Sequence, residues 1–256
     1  MKAVILAAGS GTRLRPYTQD RPKCMVQLCG APMLHTQIQV LRSCGIDDIT
    51  VVGGYLADRL DPCGSRVVVN GDYAATNMVW TLKCVARELG DDVIVSYGDI
   101  LYHPDILAGI CAGDASVAVA VDAAWHGYWQ QRFDDVLADA ETLRLEGDRI
   151  TEIGRRPQSL ADIQGQYIGL MRFSADGAQL LRDTLCGLAG DSPVAGKPAR
   201  SAYMTDLLQS FIDDGHPCTA VPFTGSWCEV DTVRDLSVAE GRVCPWVRGL
   251  AERGGA

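Results

Sequence analysis

Residues 3–25 read Ala-Val-Ile-Leu-Ala-Ala-Gly-Ser-Gly-Thr-Arg-Leu-Arg-Pro-Tyr-Thr-Gln-Asp-Arg-Pro-Lys-Cys-Met. Val4, Ile5 and Leu6 form a short apolar run that suits a parallel strand buried on both faces. Ala7, Ala8, Gly9, Ser10 and Gly11 follow at once. Small residues let a backbone approach a polyphosphate closely, and successive amide N–H groups in such a turn make an anion-binding concavity. Arg13, Arg15, Arg21 and Lys23 then bring four cations within eleven positions. No Gly-Lys-Ser/Thr follows the glycines, so the turn is not a P-loop. The third glycine of the dinucleotide fingerprint is also missing.

The positive charge around this loop is local. The chain of 256 residues carries a formal net charge of −9, which argues against broad nucleic-acid binding. It is 47% hydrophobic and 21% charged, as a folded globular protein should be. No apolar run reaches the length of a membrane span. The start runs straight into a strand pattern, which does not read as a signal peptide and leads us to expect a cytoplasmic protein. Ten cysteines are present, no two of them three positions apart. They read as small buried hydrophobes rather than as disulfide or metal partners.

Strand and helix patterns alternate through the first half. Strands are expected at 2–7, 49–52, 67–69 and 93–97, and helices at 32–44 and 78–89. The second half is less regular. Strands are expected at 116–121, 167–173 and 218–222, a hairpin at 142–145 and 149–153, and helices at 178–188 and 203–213. Residues 124–147 read as an excursion rich in aromatics and acids, and residues 190–200 as a mobile loop. The pattern implies an α/β fold with a doubly wound, mostly parallel sheet and helices on both faces. Ligands bind such sheets at the carboxyl ends of the strands, where both the 7–13 loop and Asp99 fall.

Leu6 to Pro16 and Pro22-Lys23 match, position by position, the signature of the nucleotidyltransferase superfamily: L-A-A-G-x-G-(T/S)-R-(L/M)-x-P, then P-K. The chain resembles the members that attach a nucleoside monophosphate to a phosphorylated small molecule. The resemblance implies a Rossmann-like nucleotidyltransferase domain over 1–256. Its nucleotide-binding half would be 1–121. Its acceptor-binding and metal-completing half would be 122–240, with a small β-rich acceptor-binding excursion. In such a reaction the acceptor oxygen is already anionic, so positioning and cations carry the catalysis rather than a strong base.

The resemblance implies roles residue by residue. Leu6, Ala7, Ala8, Gly9, Ser10, Gly11 and Thr12 would cradle the nucleotide, with Arg13 and Lys23 on its phosphates. Asp99 and Asp231 resemble the family's metal-binding aspartates, and two hard oxygen ligands suit Mg²⁺. Glu229, two residues from Asp231, is a third candidate ligand. Sugar-1-phosphate enzymes carry Gly-Thr-Ala near the middle of the nucleotide half. Here Asn70-Gly71-Asp72-Tyr73-Ala74-Ala75-Thr76-Asn77-Met78-Val79-Trp80-Thr81-Leu82 stands instead. That stretch and the tail 226–236 resemble the phosphocholine cytidylyltransferases and their phosphonate-using relatives. Asn70, Asn77 and Thr81 would then serve the nucleotide.

On the acceptor side, Lys83, Trp129, Arg132, Arg156 and Tyr167 are the candidates. Arginines can fork an extra acidic group, which favours a small acidic phosphonate or phosphomonoester over a choline-like cation. The expectation is a Mg²⁺-dependent cytidylyltransferase that acts on CTP and such an acceptor, and that can form a homodimer. A sugar-1-phosphate nucleotidyltransferase using UTP or dTTP, a phosphocholine cytidylyltransferase and a non-catalytic nucleotide sensor are the alternatives.

Overall fold

Val4, Ile5 and Leu6 need no polar alternation because both faces of their strand are covered. Ala3, Ile5 and Ala7 enter one apolar core, and Val4 and Leu6 enter another on the opposite face. The computed structural model describes residues 1–253. The last three positions of the domain expected over 1–256 lie outside the described residues.

The main sheet has nine strands. In chain order they are β1 Lys2–Ala7, β2 Asp48–Gly53, β3 Arg66–Val69, β4 Val93–Tyr97, β5 Val117–Asp122, β6 Leu143–Glu146, β7 Arg149–Ile153, β8 Gln166–Phe173 and β9 Cys218–Phe223. Their spatial order is β3-β2-β1-β4-β8-β5-β9-β7-β6. The β3-β2-β1-β4 half is parallel throughout. β8 runs antiparallel to both β4 and β5, whereas β9 is parallel to β5. The sheet is therefore mixed but mostly parallel, as the alternating pattern led us to expect.

The helices are α1 Met33–Ser43, α2 Met78–Lys83, α3 Pro104–Ala112, α4 Trp125–Arg132, α5 Ala175–Gly187, α6 Met204–Asp213 and α7 Val233–Arg253. Leu34, Ile38 and Leu41 of α1, Ile106 and Ile110 of α3, and Ala239 and Val243 of α7 fill the core on the Ile5 face. Val79 and Leu82 of α2, Leu181 and Leu185 of α5, and Leu207 and Phe211 of α6 fill the core on the Val4 face. Each fully buried side chain of this size contributes about 1.5–3 kcal/mol relative to exposure.

Several expectations need correction. The helix expected over 78–89 ends at Lys83, and a 3₁₀ turn follows at Ala86–Glu88. Val85, Ala86 and Leu89 remain buried, so two short pieces satisfy the spacing that suggested one helix. The excursion is not a β-rich appendage. Its first part is α4, and its hairpin (β6 and β7) extends the edge of the main sheet. The 190–200 segment is a packed hairpin, with Pro193–Val194 paired to Lys197–Pro198. Val194 and Ala199 are buried, and Lys197–Asp206 and Arg200–Asp72 ion pairs at 2.9 and 3.1 Å anchor it. Cys29 and Cys244 form a disulfide between an early turn and α7, while the other cysteines are free. Their separation of 215 residues hides that pair from any reading of local spacing. Among the described residues no helix is long and apolar enough to cross a membrane.

Candidate active site

The glycine loop leaves β1 at the carboxyl edge of the sheet. Gly11 adopts φ +57°, a left-handed conformation that a glycine takes without strain, and starts a 3₁₀ turn over Thr12–Leu14. The Thr18 hydroxyl donates to the Gly11 carbonyl at 2.8 Å and holds the turn closed. A cleft opens against this loop. It is lined by Leu6–Gly9 and Gly11–Arg13, by Tyr73, Thr76, Asn77, Met78 and Thr81, by Tyr97, and by Lys23, Asp99 and Asp231.

Of the expected nucleotide residues, Ser10 and Asn70 do not line the cleft. Asn70 is buried, and its amide donates to the hydroxyls of Thr76 and Thr81 at 3.0 and 3.1 Å. It thus shapes the wall instead of touching the cleft. Asn77 caps α2, accepting from the Met78 N–H at 2.9 Å. Tyr73, Thr76 and Met78 fall in the 70–82 stretch read from sequence as nucleotide-binding without being named as site residues, and Tyr97 was not named as one at all. All four belong to the segments leading from β3 and β4 into the ligand edge, which was the available signal.

A short two-stranded ribbon brings the carboxylates together. Ile100–Tyr102 pairs antiparallel with Trp227–Glu229, so Asp99 and Asp231 emerge side by side. Asp99, Glu229 and Asp231 offer oxygens that lie within 4.8 Å of one another. Lys23 donates to Asp99 Oδ2 at 2.6 Å and also to Asp231 Oδ1. Burial alone would push the Lys23 ammonium down, but the two carboxylates outweigh it and raise its pKa. Burial likewise opposes the charge of Asp231, yet Lys23 holds that carboxyl below its usual range. Glu229 goes the other way. Burial and the neighbouring Asp231 raise it, with Arg132 opposing.

A divalent cation fits these residues. Asp99 Oδ1 is buried without a hydrogen-bond partner, and three carboxylates form the hard-oxygen donor set that Mg²⁺ prefers. Arg13, with its side chain 61% exposed, pairs with Asp231 at 3.1 Å and reaches from the loop across the cleft mouth.

Three acceptor assignments are corrected. Arg132 is buried and already engaged: it meets Glu229 at 2.7 Å, Asp235 at 2.9 Å and Asp231 at 3.9 Å. It organises the carboxylates and cannot fork an acceptor. Trp129 is core, packed against Trp125 and Trp227 with ring centroids 5.8 and 6.2 Å apart, and it stacks on the Arg132 guanidinium. Lys83 donates to the Leu185 carbonyl at 2.6 Å, tying α2 to α5 outside the cleft. Tyr167 meets the cleft-lining Tyr97 edge-on at 5.7 Å and so stands behind it. Arg156 is exposed after β7, with no ion pair among the described residues.

Asp235 was missed. It accepts from the N–H groups of Asp231 and Thr232 at 3.0 and 2.8 Å, and it pairs with Arg132. Thr232-x-x-Asp235 is a capping-box spacing at the start of α7, which was the legible signal.

Beyond Tyr97 the surroundings turn acidic. The Tyr97 and Tyr167 hydroxyls lie near enough to Glu141 and Asp99 for both carboxylates to raise them, on top of burial. Glu141 itself is pushed up to about 7, by burial first and then by Asp206 and Asp139, with Lys197 opposing. Its backbone is fixed by Gln166, which donates to the Glu141 carbonyl at 2.6 Å and accepts from its N–H at 3.2 Å.

A glycine loop on a buried parallel strand, cations beside it and paired carboxylates at the strand ends define a nucleotidyltransferase. Residues 3–149 match the MobA-like NTP transferase domain, and the chain belongs to that family. It is 37% identical over 254 residues to the CTP:phosphoglutamine cytidylyltransferase of Campylobacter jejuni, covering 93% of this chain and 98% of that protein. The solved CTP:phosphocholine cytidylyltransferase of Streptococcus pneumoniae superposes with a TM-score of 0.71 at 25% identity. That match covers 94% of this chain and 97% of the other. The inositol-1-phosphate CTP transferase of T. maritima shares the fold, with a TM-score of 0.73 at 19% identity over 98% and 96% of the two chains.

Proposed function

We propose that this enzyme transfers CMP from CTP to a small phosphorylated or phosphonate acceptor that carries an ammonium group, releasing pyrophosphate. The observation that carries the reading is the meeting of Lys23, Asp99 and Asp231 at the cleft beside the glycine loop. The whole-length likeness to a CTP:phosphoglutamine cytidylyltransferase supports CTP as donor. A choline acceptor brings a cationic nitrogen and an amino-acid acceptor both an ammonium and a carboxylate; Glu141, near Tyr97, is the acid we assign to that nitrogen, Asp206 being already paired with Lys197. Of the cations behind the acidic acceptor expected from sequence, Arg132 and Lys83 are engaged, while Arg156 stays exposed with no ion pair among the described residues.

In this reading the loop amides and Arg13 hold the triphosphate. Asp99 and Asp231, with Glu229, hold Mg²⁺, which supplies charge neutralisation on the phosphates. Lys23 stabilises charge at the α-phosphate as the acceptor oxygen attacks in line and pyrophosphate leaves. Tyr73, Met78 and the threonines shape a pocket for a single-ring base.

The test is pyrophosphate release with Mg²⁺ and CTP across phosphocholine, a phosphorylated glutamine, an aminoalkyl phosphonate, its des-amino analogue and hexose 1-phosphates. Turnover with amine-bearing acceptors well above the des-amino analogue supports the reading. Turnover confined to hexose 1-phosphates, with no amine-bearing acceptor used, overturns it.

A further inference from the structure

The Lys23 ammonium sits where a cation shared by Asp99 and Asp231 would sit. It donates to Asp99 Oδ2 at 2.6 Å and to Asp231 Oδ1, and those are the aspartates whose oxygens, with Glu229, converge within 4.8 Å. A Mg²⁺ ion needs oxygens at about 2.0–2.1 Å in near-octahedral order. The ammonium and the ion cannot both occupy the gap between two carboxylates drawn that close. Resting on the reading above, we propose that Lys23 is a placeholder for the divalent cation, and that cation and nucleotide therefore bind together.

The energetics follow from what each partner leaves behind. A cation arriving alone must break two charge-assisted hydrogen bonds of Lys23, whose side chain is only 13% exposed. That strands a largely buried ammonium without a partner, which is costly. A nucleotide arriving alone meets a lysine already committed to carboxylates and a cluster of three acids. Together they resolve both problems. The cation takes the carboxylates, and the ammonium moves to phosphate oxygens.

The geometry permits the exchange without moving backbone. Lys23 opens a 3₁₀ turn that is fixed in place, with the Met25 N–H donating to Pro22 and the Val26 N–H to Lys23. Its stem lies along the glycine loop: a methyl group added at Gly11 would come within 3.0 Å of Lys23 Cβ and 3.4 Å of its Cδ. Rotation about the stem then carries the ammonium from the aspartates towards the phosphates that the loop would hold. Arg132 stays behind on Glu229 and Asp235, so the cluster is never left without a compensating charge. By linkage, the factor by which CTP tightens cation binding equals the factor by which the cation tightens CTP.

The experiment is Mn²⁺ binding followed by electron paramagnetic resonance, with and without CTP. The proteins compared are the wild type, Lys23→Met, Lys23→Gln and Asp99→Asn. Both Lys23 variants should bind Mn²⁺ alone at least about tenfold more tightly than wild type, while losing most of the coupling to CTP and most of the turnover. Wild type should bind Mn²⁺ weakly alone and at least about tenfold more tightly with CTP. Folding of each variant is checked by circular dichroism, and the two neutral replacements guard against a defect in either one. If both Lys23 variants bind Mn²⁺ no better than wild type while Asp99→Asn abolishes binding, the placeholder idea is overturned and the metal site stands. If Asp99→Asn leaves Mn²⁺ binding unchanged in the presence of CTP, the metal reading fails and takes the proposal with it.

Discussion

The backbone N–H of Val230 donates to the carbonyl of Asp99 at 3.0 Å. That one bond closes the ribbon between Ile100–Tyr102 and Trp227–Glu229 and brings Asp231 to Asp99 from 132 positions along the chain. The carboxylate cluster is therefore assembled by backbone pairing, which leaves both aspartate side chains to face Lys23. Asp99→Asn and Asp231→Asn should leave the ribbon in place but lower stability, because each takes a partner from the largely buried Lys23 ammonium. Turnover should fall by about 10²–10³-fold or more, since each removes a carboxylate that would hold the cation facing the transferring phosphates. Near-wild-type rates in either variant, measured by pyrophosphate release, would remove that residue from the metal site.

Arg132 makes a different kind of prediction. Its side chain is fully buried among Glu229, Asp231 and Asp235 and stacked on Tyr128, Trp129 and Phe133. Removing one member of a buried ionic cluster leaves charges uncompensated and costs about 3–5 kcal/mol. Arg132→Ala should lower the free energy of unfolding by that amount and the urea midpoint with it. Arg132→Lys should recover little, because one ammonium cannot replace a guanidinium that meets the three carboxylates through three different nitrogens. An unchanged midpoint in urea would show that the cluster does not depend on this guanidinium.

What was legible in the sequence, and what was not, follows from distance along the chain. The strand-loop unit at 3–25 could be read because one contiguous stretch holds the strand, the turn glycines and the phosphate cations. The alternation in 2–97 was legible for the same reason, since parallel strands and their helices are local repeats of one unit. Arg132 was misread because its partners Glu229 and Asp235 lie about a hundred residues away, and an arginine without visible partners looks available. Trp129 was misread because packing against Trp227 leaves no local trace. Cys29 and Cys244 escaped notice by the same logic. The ribbon from 100 to 102 and from 227 to 229 is too short to announce itself by alternation, yet it is what completes the site.

Gly54 tests the close packing behind the glycine loop. A methyl group placed there would come within 2.7 Å of the Ala8 carbonyl oxygen and 2.6 Å of Tyr73 Cβ. Neither neighbour is the end of a flexible chain, so the loop or the Tyr73 wall must shift. Overpacking of this kind costs about 1–3 kcal/mol. Gly54→Ala should raise the KM for CTP several-fold and lower stability together. A variant that keeps both the KM and the melting temperature of wild type would show that the wall yields freely.

The Glu141 carboxyl is pushed up to about 7 by burial, Asp206 and Asp139, against the pull of Lys197. If it receives the acceptor's ammonium, only its ionised form does so. The ionised fraction grows as pH rises through about 7, so kcat/KM for an amine-bearing acceptor should climb below that pH and level off above it. The acceptor's own phosphoryl group also titrates in this region, so the quantity to follow is the ratio to the des-amino analogue, with each acceptor corrected for its own phosphoryl pKa. In Glu141→Gln the ratio should be flat in pH and reduced. Stability provides an independent reading with a definite sign. An acid whose pKa is higher in the folded than in the unfolded state weakens the fold as pH rises from the ordinary carboxylate range to about 7. Glu141→Gln should therefore melt higher than wild type at pH 8, with the advantage shrinking by pH 5. A pH-independent ratio in wild type together with an unchanged melting difference would place Glu141 outside the acceptor's reach.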